Sequence, residues 1–224
     1  MRKIIFANEE YYHIYNRGVD KRKVFSNEKD YQRFLLSMDL LNDNEDGLME
    51  NWRNLTRGNP KARLSDSEKI LKIIKKRKPL VEFVVYCVNP NHYHFVLKQL
   101  IEKGIERFMH KLGTSYTKYF NKKNKRSGVL FQGKFKATHI DSNEYLLYLS
   151  AYVNNNYFIH GYGKENREYS SREEYKTKKK NGFCNKRIIL GQFGNKIGEY
   201  NDFMKRNSLY MREKKELSKY LIEE

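Results

Sequence analysis

Residues 80–88 are almost unbroken in apolar, β-branched and aromatic side chains, the pattern of a buried strand. Asn89-Pro90-Asn91 is turn chemistry, and the alternation over 92–97 reads as the returning strand of a hairpin. Residues 10–17 alternate aromatic and polar positions and predict a further strand, ended by Gly18. Ser26-Asn27-Glu28-Lys29 opens a helix with Tyr31, Phe34, Leu35 and Met38 as its apolar stripe. Helical spacing returns over 105–121 at Ile105, Phe108, Met109, Leu112, Tyr116, Tyr119 and Phe120. Residues 129–140 read as extended, and Asp141-Ser142-Asn143-Glu144 caps a helix running to about Asn156. The order strand, helix, strand, strand, helix, strand, helix predicts an α+β fold, an antiparallel sheet with helices packed on one face.

Two stretches break the periodicity. Residues 43–64 are polar, carry Gly47, Gly58 and Pro60, and read as a surface insertion, followed by a short basic helix over 65–77. Beyond Gly163 the composition turns to charge, with a basic patch over 169–180, a small apolar segment at 188–193 and a charged helix or two over 200–224. The organisation expected is one domain over 1–163 and a basic, partly helical C-terminal appendage over 164–224.

The 224 residues carry a formal charge of +18, a field that attracts polyanions, nucleic acid first among them. Aromatic residues make up 14%, with 18 tyrosines among the cations, which suits single strands whose bases stack while phosphates meet Lys and Arg. A lysine- and tyrosine-rich composition inherited from an AT-rich genome is the plainer source of part of this bias. No apolar run approaches the ~20 residues of a membrane span. Two cysteines, Cys87 and Cys184, make neither a disulfide framework nor a metal cluster. The expected setting is cytoplasmic, beside the nucleoid.

On a strand, His92 and His94 point to one face and Tyr93 and Phe95 to the other. Two imidazoles so placed either converge on one divalent ion or form an ordinary hydrogen-bonded pair. Tyr148, Tyr152 and Asn156 are spaced four apart on the last helix, so they share a face about a turn between neighbours. With the Asn156 amide oxygen as a third ligand, imidazole and oxygen donors suit Mg²⁺ or Mn²⁺ held partly by a substrate phosphate. Tyr152 is the candidate nucleophile. A phenol titrating near ~10 attacks poorly at neutral pH, and a metal that polarises the phosphate makes the attack feasible. The alternative for Tyr152 is a packing or stacking tyrosine.

Four segments carry a resemblance: 11–18 (YYHIYNRG), 89–94 (NPNHYH), 128–136 (GVLFQGKFK) and 152–156 (YVNNN). In this order they resemble the single-tyrosine HUH transposases of insertion sequences, and specifically the REP-associated tyrosine transposases, over about residues 6–162. The resemblance implies a ferredoxin-like or RRM-like HUH nuclease core, with His92 and His94 as metal ligands. It implies the nucleophile at Tyr152 and the amide at Asn156, five residues before Gly161. It implies cleavage of single-stranded DNA beside a folded hairpin through a 5′-phosphotyrosine, by a monomer or a homodimer. One departure is Tyr157, where members commonly have proline. It leaves Asn155 as the alternative ligand. It also leaves open a second class of function, a catalytically silent regulator that binds hairpin DNA or RNA. A metal-binding RNA nuclease, with the histidines as acid and base, is a third reading that leaves Tyr152 idle.

The remaining candidates are contacts. Arg17, Lys122, Lys123, Lys125, Arg126, Lys134 and Lys136 are expected to meet phosphates, with solvated charge as the alternative. In the tail, Arg172, Lys176, Lys178, Lys179 and Lys180 either help grip a hairpin or form a basic segment without order. Tyr116 and Tyr119 are rival nucleophiles read as packing or stacking residues. His13 is read as structural, with a place beside the metal or on DNA as the alternative, and His110, His139 and His160 as ordinary.

Overall fold

The computed structural model describes residues 4–57, 77–177 and 182–220. Strands β1 (Tyr11–Arg17), β2 (Val81–Asn89), β3 (His92–Gln99) and β4 (Lys136–His139) form one antiparallel sheet in the order β2-β3-β1-β4. The helices are α1 (Glu28–Leu40), α2 (Leu48–Arg57), α3 (Gly104–Lys123), α4 (Asn143–Asn154), α5 (Asn156–Ile159), α6 (Arg187–Leu190) and α7 (Ile197–Tyr220). Two starts follow from local chemistry: the side chains of Asn27 and Ser142 accept from the backbone N–H of Asp30 and Tyr145.

Strand alternation sorts the apolar residues into two cores. Tyr12, Ile14, Phe83, Tyr93, Phe95 and Leu97 face Phe34 and Met38 of α1 and Ile105, Phe108, Leu112 and Tyr116 of α3. On the opposite face Val84, Val85, Cys87 and Val96 meet Leu146, Leu149 and Val153 of α4 and Tyr200 and Met204 of α7. A bulge in β2 between Phe83 and Val85 puts Val84 and Val85 in the same core. The antiparallel α+β architecture is the one the alternation predicts. The second face carries α4 over β2 and β3, with α7 packed against α4 and α5.

The C-terminal residues are built into this second core. Ser171 Oγ accepts from the Tyr86 N–H (2.9 Å) and the Tyr175 hydroxyl donates to the Val84 carbonyl (2.9 Å), so the outer edge of β2 is closed by the chain beyond Gly163. In the polar insertion, Leu48 and Met49 of α2 pack on Leu36 and Leu40. The short basic helix expected over 65–77 lies outside the described residues except for Arg77, which pairs with Asp39 and Asp43. Among the described residues no helix is long and apolar enough to cross a membrane.

Candidate active site

The hairpin turn that precedes His92 is clamped from outside. The Pro90 carbonyl accepts from Val24 N (2.8 Å) and Phe25 N (3.0 Å), and the Asn91 carbonyl from Gly18 N (2.8 Å). The Asn91 amide then orients His92. Its Nδ2 donates to the Lys21 carbonyl (3.0 Å), and its Oδ1 accepts from His92 Nδ1 (2.6 Å) and from the Tyr162 hydroxyl (3.0 Å). The proton of a neutral His92 therefore sits on Nδ1, and Nε2 presents its lone pair to the site.

The opposite wall comes from the last helix, which differs from the single helix expected to run to Asn156. α4 stops at Asn154, Asn155 leaves helical geometry (φ −110°, ψ 15°), and α5 starts at Asn156. The break turns the two amides apart. Asn155 donates to the Met204 carbonyl (3.1 Å), and Asn156 Oδ1 meets His92 Nε2 at 3.0 Å. Tyr152, one turn earlier, stands edge-on to His94 with ring centroids 5.5 Å apart.

Two further histidines close the site. His13 Nε2 lies 2.9 Å from His94 Nδ1, so a His94 that offers Nε2 to a ligand keeps its proton on Nδ1 and donates it to His13. His160 Nε2 is 3.3 Å from the Tyr152 hydroxyl, and Lys215 Nζ is 2.9 Å from His160 Nδ1. Burial pushes His13 and His92 down to about 4 and His160, with Lys215 beside it, to about 3. His94 is lowered by the same cause and by its histidine neighbours. The four imidazoles are neutral at pH 7, the form in which a histidine binds a metal. Burial pushes the Tyr152 phenol up to about 12, while the Asn156 amide and Arg17 pull it down.

The donors fit a small divalent cation. His92 Nε2 and Asn156 Oδ1 face one another as two acceptors, an arrangement that calls for positive charge beside both. Asn89 Nδ2 supplies part of it, 3.1 Å from the imidazole and 2.7 Å from the amide oxygen. The 3.0 Å between the two acceptors is roughly the spacing of adjacent ligands on an octahedral ion with bonds of about 2.1 Å. Asn89 Oδ1 and Asn156 Nδ2 are buried without a hydrogen-bond partner, so the polar atoms here are incompletely satisfied by the protein. The set is two imidazoles and an amide; among the described residues there is no group of three His, Cys, Asp or Glu side chains suited to hold a metal.

Residues 57–156 match a family model described as "Transposase IS200 like". The matched stretch is somewhat less than half of the chain and includes His92, His94, Tyr152 and Asn156. No curated protein matches the chain. One solved structure, a REP-associated tyrosine transposase bound to a REP hairpin, aligns with a TM-score of 0.49 at 11% identity over 82% of this chain and 88% of that one.

Within the matched residues and their flanks the other predicted residues divide. Arg17 pairs with His92 and Lys136 with Tyr15 in the strand registers, so both lie on the site's face. Lys122, Lys123, Lys125 and Arg126 end α3 on the other side of the sheet. There Lys123 is bound to Asp30 (2.5 Å), and Arg126 donates to the Val129 carbonyl (2.9 Å). Lys134 lines a cavity between α3 and the chain before β4. Lys178, Lys179 and Lys180 lie outside the described residues, whereas Arg172 stands over the Tyr157 ring and Lys176 pairs with Glu173. Tyr116 donates to the Val24 carbonyl (2.6 Å) and Tyr119 to Asp30 (3.0 Å), so both rival tyrosines are held on the face away from the histidines. His139 pairs with Glu10. His160, read as ordinary, is instead a wall of the site, and His13 touches His94. Alternation put His13 on the correct face; for His160 and Lys215, 55 residues apart, no spacing signals the contact.

Proposed function

We propose that this domain cuts and rejoins single-stranded DNA beside folded hairpins, with Tyr152 as nucleophile and with Mg²⁺ or Mn²⁺ held by His92, His94 and Asn156. The observation that carries the reading is the convergence of a buried tyrosine from α4 and an amide from α5 on two strand histidines, of which His92 has its Nε2 left unprotonated by the Asn91 amide at Nδ1. Tyr152 Oη attacks the phosphorus of a phosphodiester, the P–O3′ bond breaks, and the phenol loses one proton as the departing 3′-oxygen gains one. The product is a 5′-phosphotyrosine and a free 3′-hydroxyl. One phosphodiester replaces another, so the 3′-hydroxyl of the same or another strand can reverse the step. The metal, when bound, offsets the charge growing on the phosphoryl oxygens. Because Arg17 and Lys136 share the sheet face of His92 and Tyr15, we assign them to the cleaved strand, and Lys122, Lys123, Lys125, Arg126 and Lys134 to the phosphates of a folded stem.

The test is a denaturing gel of purified protein with labelled single-stranded hairpin oligonucleotides from its own genomic flanks, with Mn²⁺ or Mg²⁺. A metal-dependent covalent adduct, absent in Tyr152→Phe, is the expected result. Salt-sensitive hairpin binding without an adduct under either metal would instead make the chain a silent binder, and an adduct that survives in Tyr152→Phe would move the nucleophile.

A further inference from the structure

The hydrogen bonds around His160 have one consistent direction. Lys215 comes from α7, far along the chain, and its ammonium has only donors to offer. At 2.9 Å from His160 Nδ1 it must donate there, so Nδ1 is an acceptor and a neutral His160 carries its proton on Nε2. Nε2–H then points at the Tyr152 hydroxyl 3.3 Å away. His160 thus cannot take the phenolic proton at Nε2. It can only give a hydrogen bond to the phenol oxygen, and that bond strengthens as the oxygen becomes negative. The Lys215 side chain is also 3.4 Å from the Ile159 carbonyl, which anchors it at the end of α5.

We propose that Lys215 and His160 form a donor relay that holds Tyr152 Oη and stabilises its phenolate, so that the C-terminal helix supplies part of the catalytic machinery. This rests on Tyr152 being the nucleophile. His160 touches the reacting atom, and Lys215 acts as a positioning residue by fixing the tautomer. In the cleavage step the phenol proton leaves to solvent, the Oη–P bond forms, and the 3′-oxygen takes a proton from solvent as the P–O3′ bond breaks. In the rejoining step the phenolate is the leaving group, and the same N–H stabilises it. One donor therefore serves both directions.

Two measurements test the relay separately. Ring-nitrogen NMR of the ¹⁵N-histidine protein, with His160 assigned by its loss in His160→Gln, reads the tautomer without DNA or metal. The expected result is Nε2–H with an unprotonated Nδ1, changed in Lys215→Met; Nδ1–H in the wild type overturns the proposal whether or not the protein cuts DNA. Single-turnover cleavage of the hairpin oligonucleotide then reads the chemistry. Lys215→Met and His160→Phe are expected to slow adduct formation roughly 10–100-fold with the DNA Kd within about twofold, the scale of losing one donor to a developing oxyanion. Lys215→Arg and His160→Gln, which keep a donor, are expected to recover most of the rate. Unchanged rates in Lys215→Met, a partly exposed position that spares the core, overturn the relay even where His160→Phe misfolds. No adduct from the wild type itself counts against the tyrosine nuclease and leaves the tautomer measurement to decide the hydrogen bonds.

Discussion

Asn155 and Asn156 are the same residue type, one position apart, and only backbone geometry separates their tasks. Spacing from Tyr152 favours Asn156, yet the missing proline at Tyr157 leaves both open in the sequence. The kink at Asn155 favours Asn156, because the first amide turns to Met204 of α7 and the second to His92. The expected consequence is a separation of effects in thermal unfolding. Mn²⁺ at about 100 times its Kd should raise the wild-type Tm by roughly 5–10 °C, as a ligand held only by the folded state contributes about 2.7 kcal/mol at that concentration. Asn156→Ala and His92→Ala should lose most of this response. Asn155→Ala should keep it while lowering stability by about 1–2 kcal/mol, since the buried Met204 carbonyl loses its donor. A lost response in Asn155→Ala with an intact one in Asn156→Ala would reverse the assignment. The same scale explains which histidines could be read early. His92 and His94 share a sheet face by alternation alone and His13 joins them through the register of β1 on β3, whereas the bond from His160 to Lys215 exists only after two distant helices have packed.

Elements with strong local patterns were legible: the β2–β3 hairpin, the capped starts of α1 and α4, and the long stripe of α3 all correspond to runs visible in the chain. α7 was read only as a charged helix, because its buried side is sparse. Along its length Tyr200, Met204, Ser208 and Met211 are buried among charged neighbours. What fixes it to the sheet is polar as well as apolar. Asn154 Nδ2 donates to the Tyr200 hydroxyl (3.0 Å), which donates to Ser150 Oγ (3.0 Å), and Ser171 Oγ lies 2.6 Å from Asn154 Oδ1 and 2.9 Å from the Tyr86 nitrogen. α7, α4, the 171 turn and the edge of β2 are thereby joined through one buried network, where an unmet group costs more than a met one gains. Tyr200→Phe should lower stability by about 1–3 kcal/mol, measured by urea unfolding. Tyr210→Phe on the exposed side of the same helix, where the residue is 58% accessible, should change it by less than about 0.5 kcal/mol. Equal effects from the two substitutions would mean that α7 is attached loosely.

At the scale of the molecule, the boundary expected at residue 163 rests on a change in composition, and packing and hydrogen bonds cross it. A strongly basic segment with few aliphatic residues reads as an appendage because sequence polarity averages over faces. Folding does not average. Tyr175, Ile189, Tyr200 and Met204, a few apolar side chains spread over thirty residues, supply the cover for Val84, Val85 and Cys87 on the sheet face that also bears the histidines. The backbone bridge between Cys87 and Ser170 closes the edge of β2 at the same place. Residues 1–163 alone would therefore expose one side of the second core, the outer edge of β2 and the buried amides of Asn154 and Asn155, each of which now has its partner in the later chain. Such a fragment should not unfold as a native domain. The expected outcome is binding of a hydrophobic dye, loss of near-ultraviolet circular dichroism and a broad or absent thermal transition, against one cooperative transition for the whole chain. A fragment with a sharp transition and native near-ultraviolet signal would establish 1–163 as a self-sufficient domain. Because Lys215 belongs to the same C-terminal stretch, that outcome would also supply a direct comparison. If the folded fragment cut hairpin DNA as fast as the full chain, α7 would contribute cover but no chemistry, and if it bound DNA yet cut slowly, the helix would be needed for both.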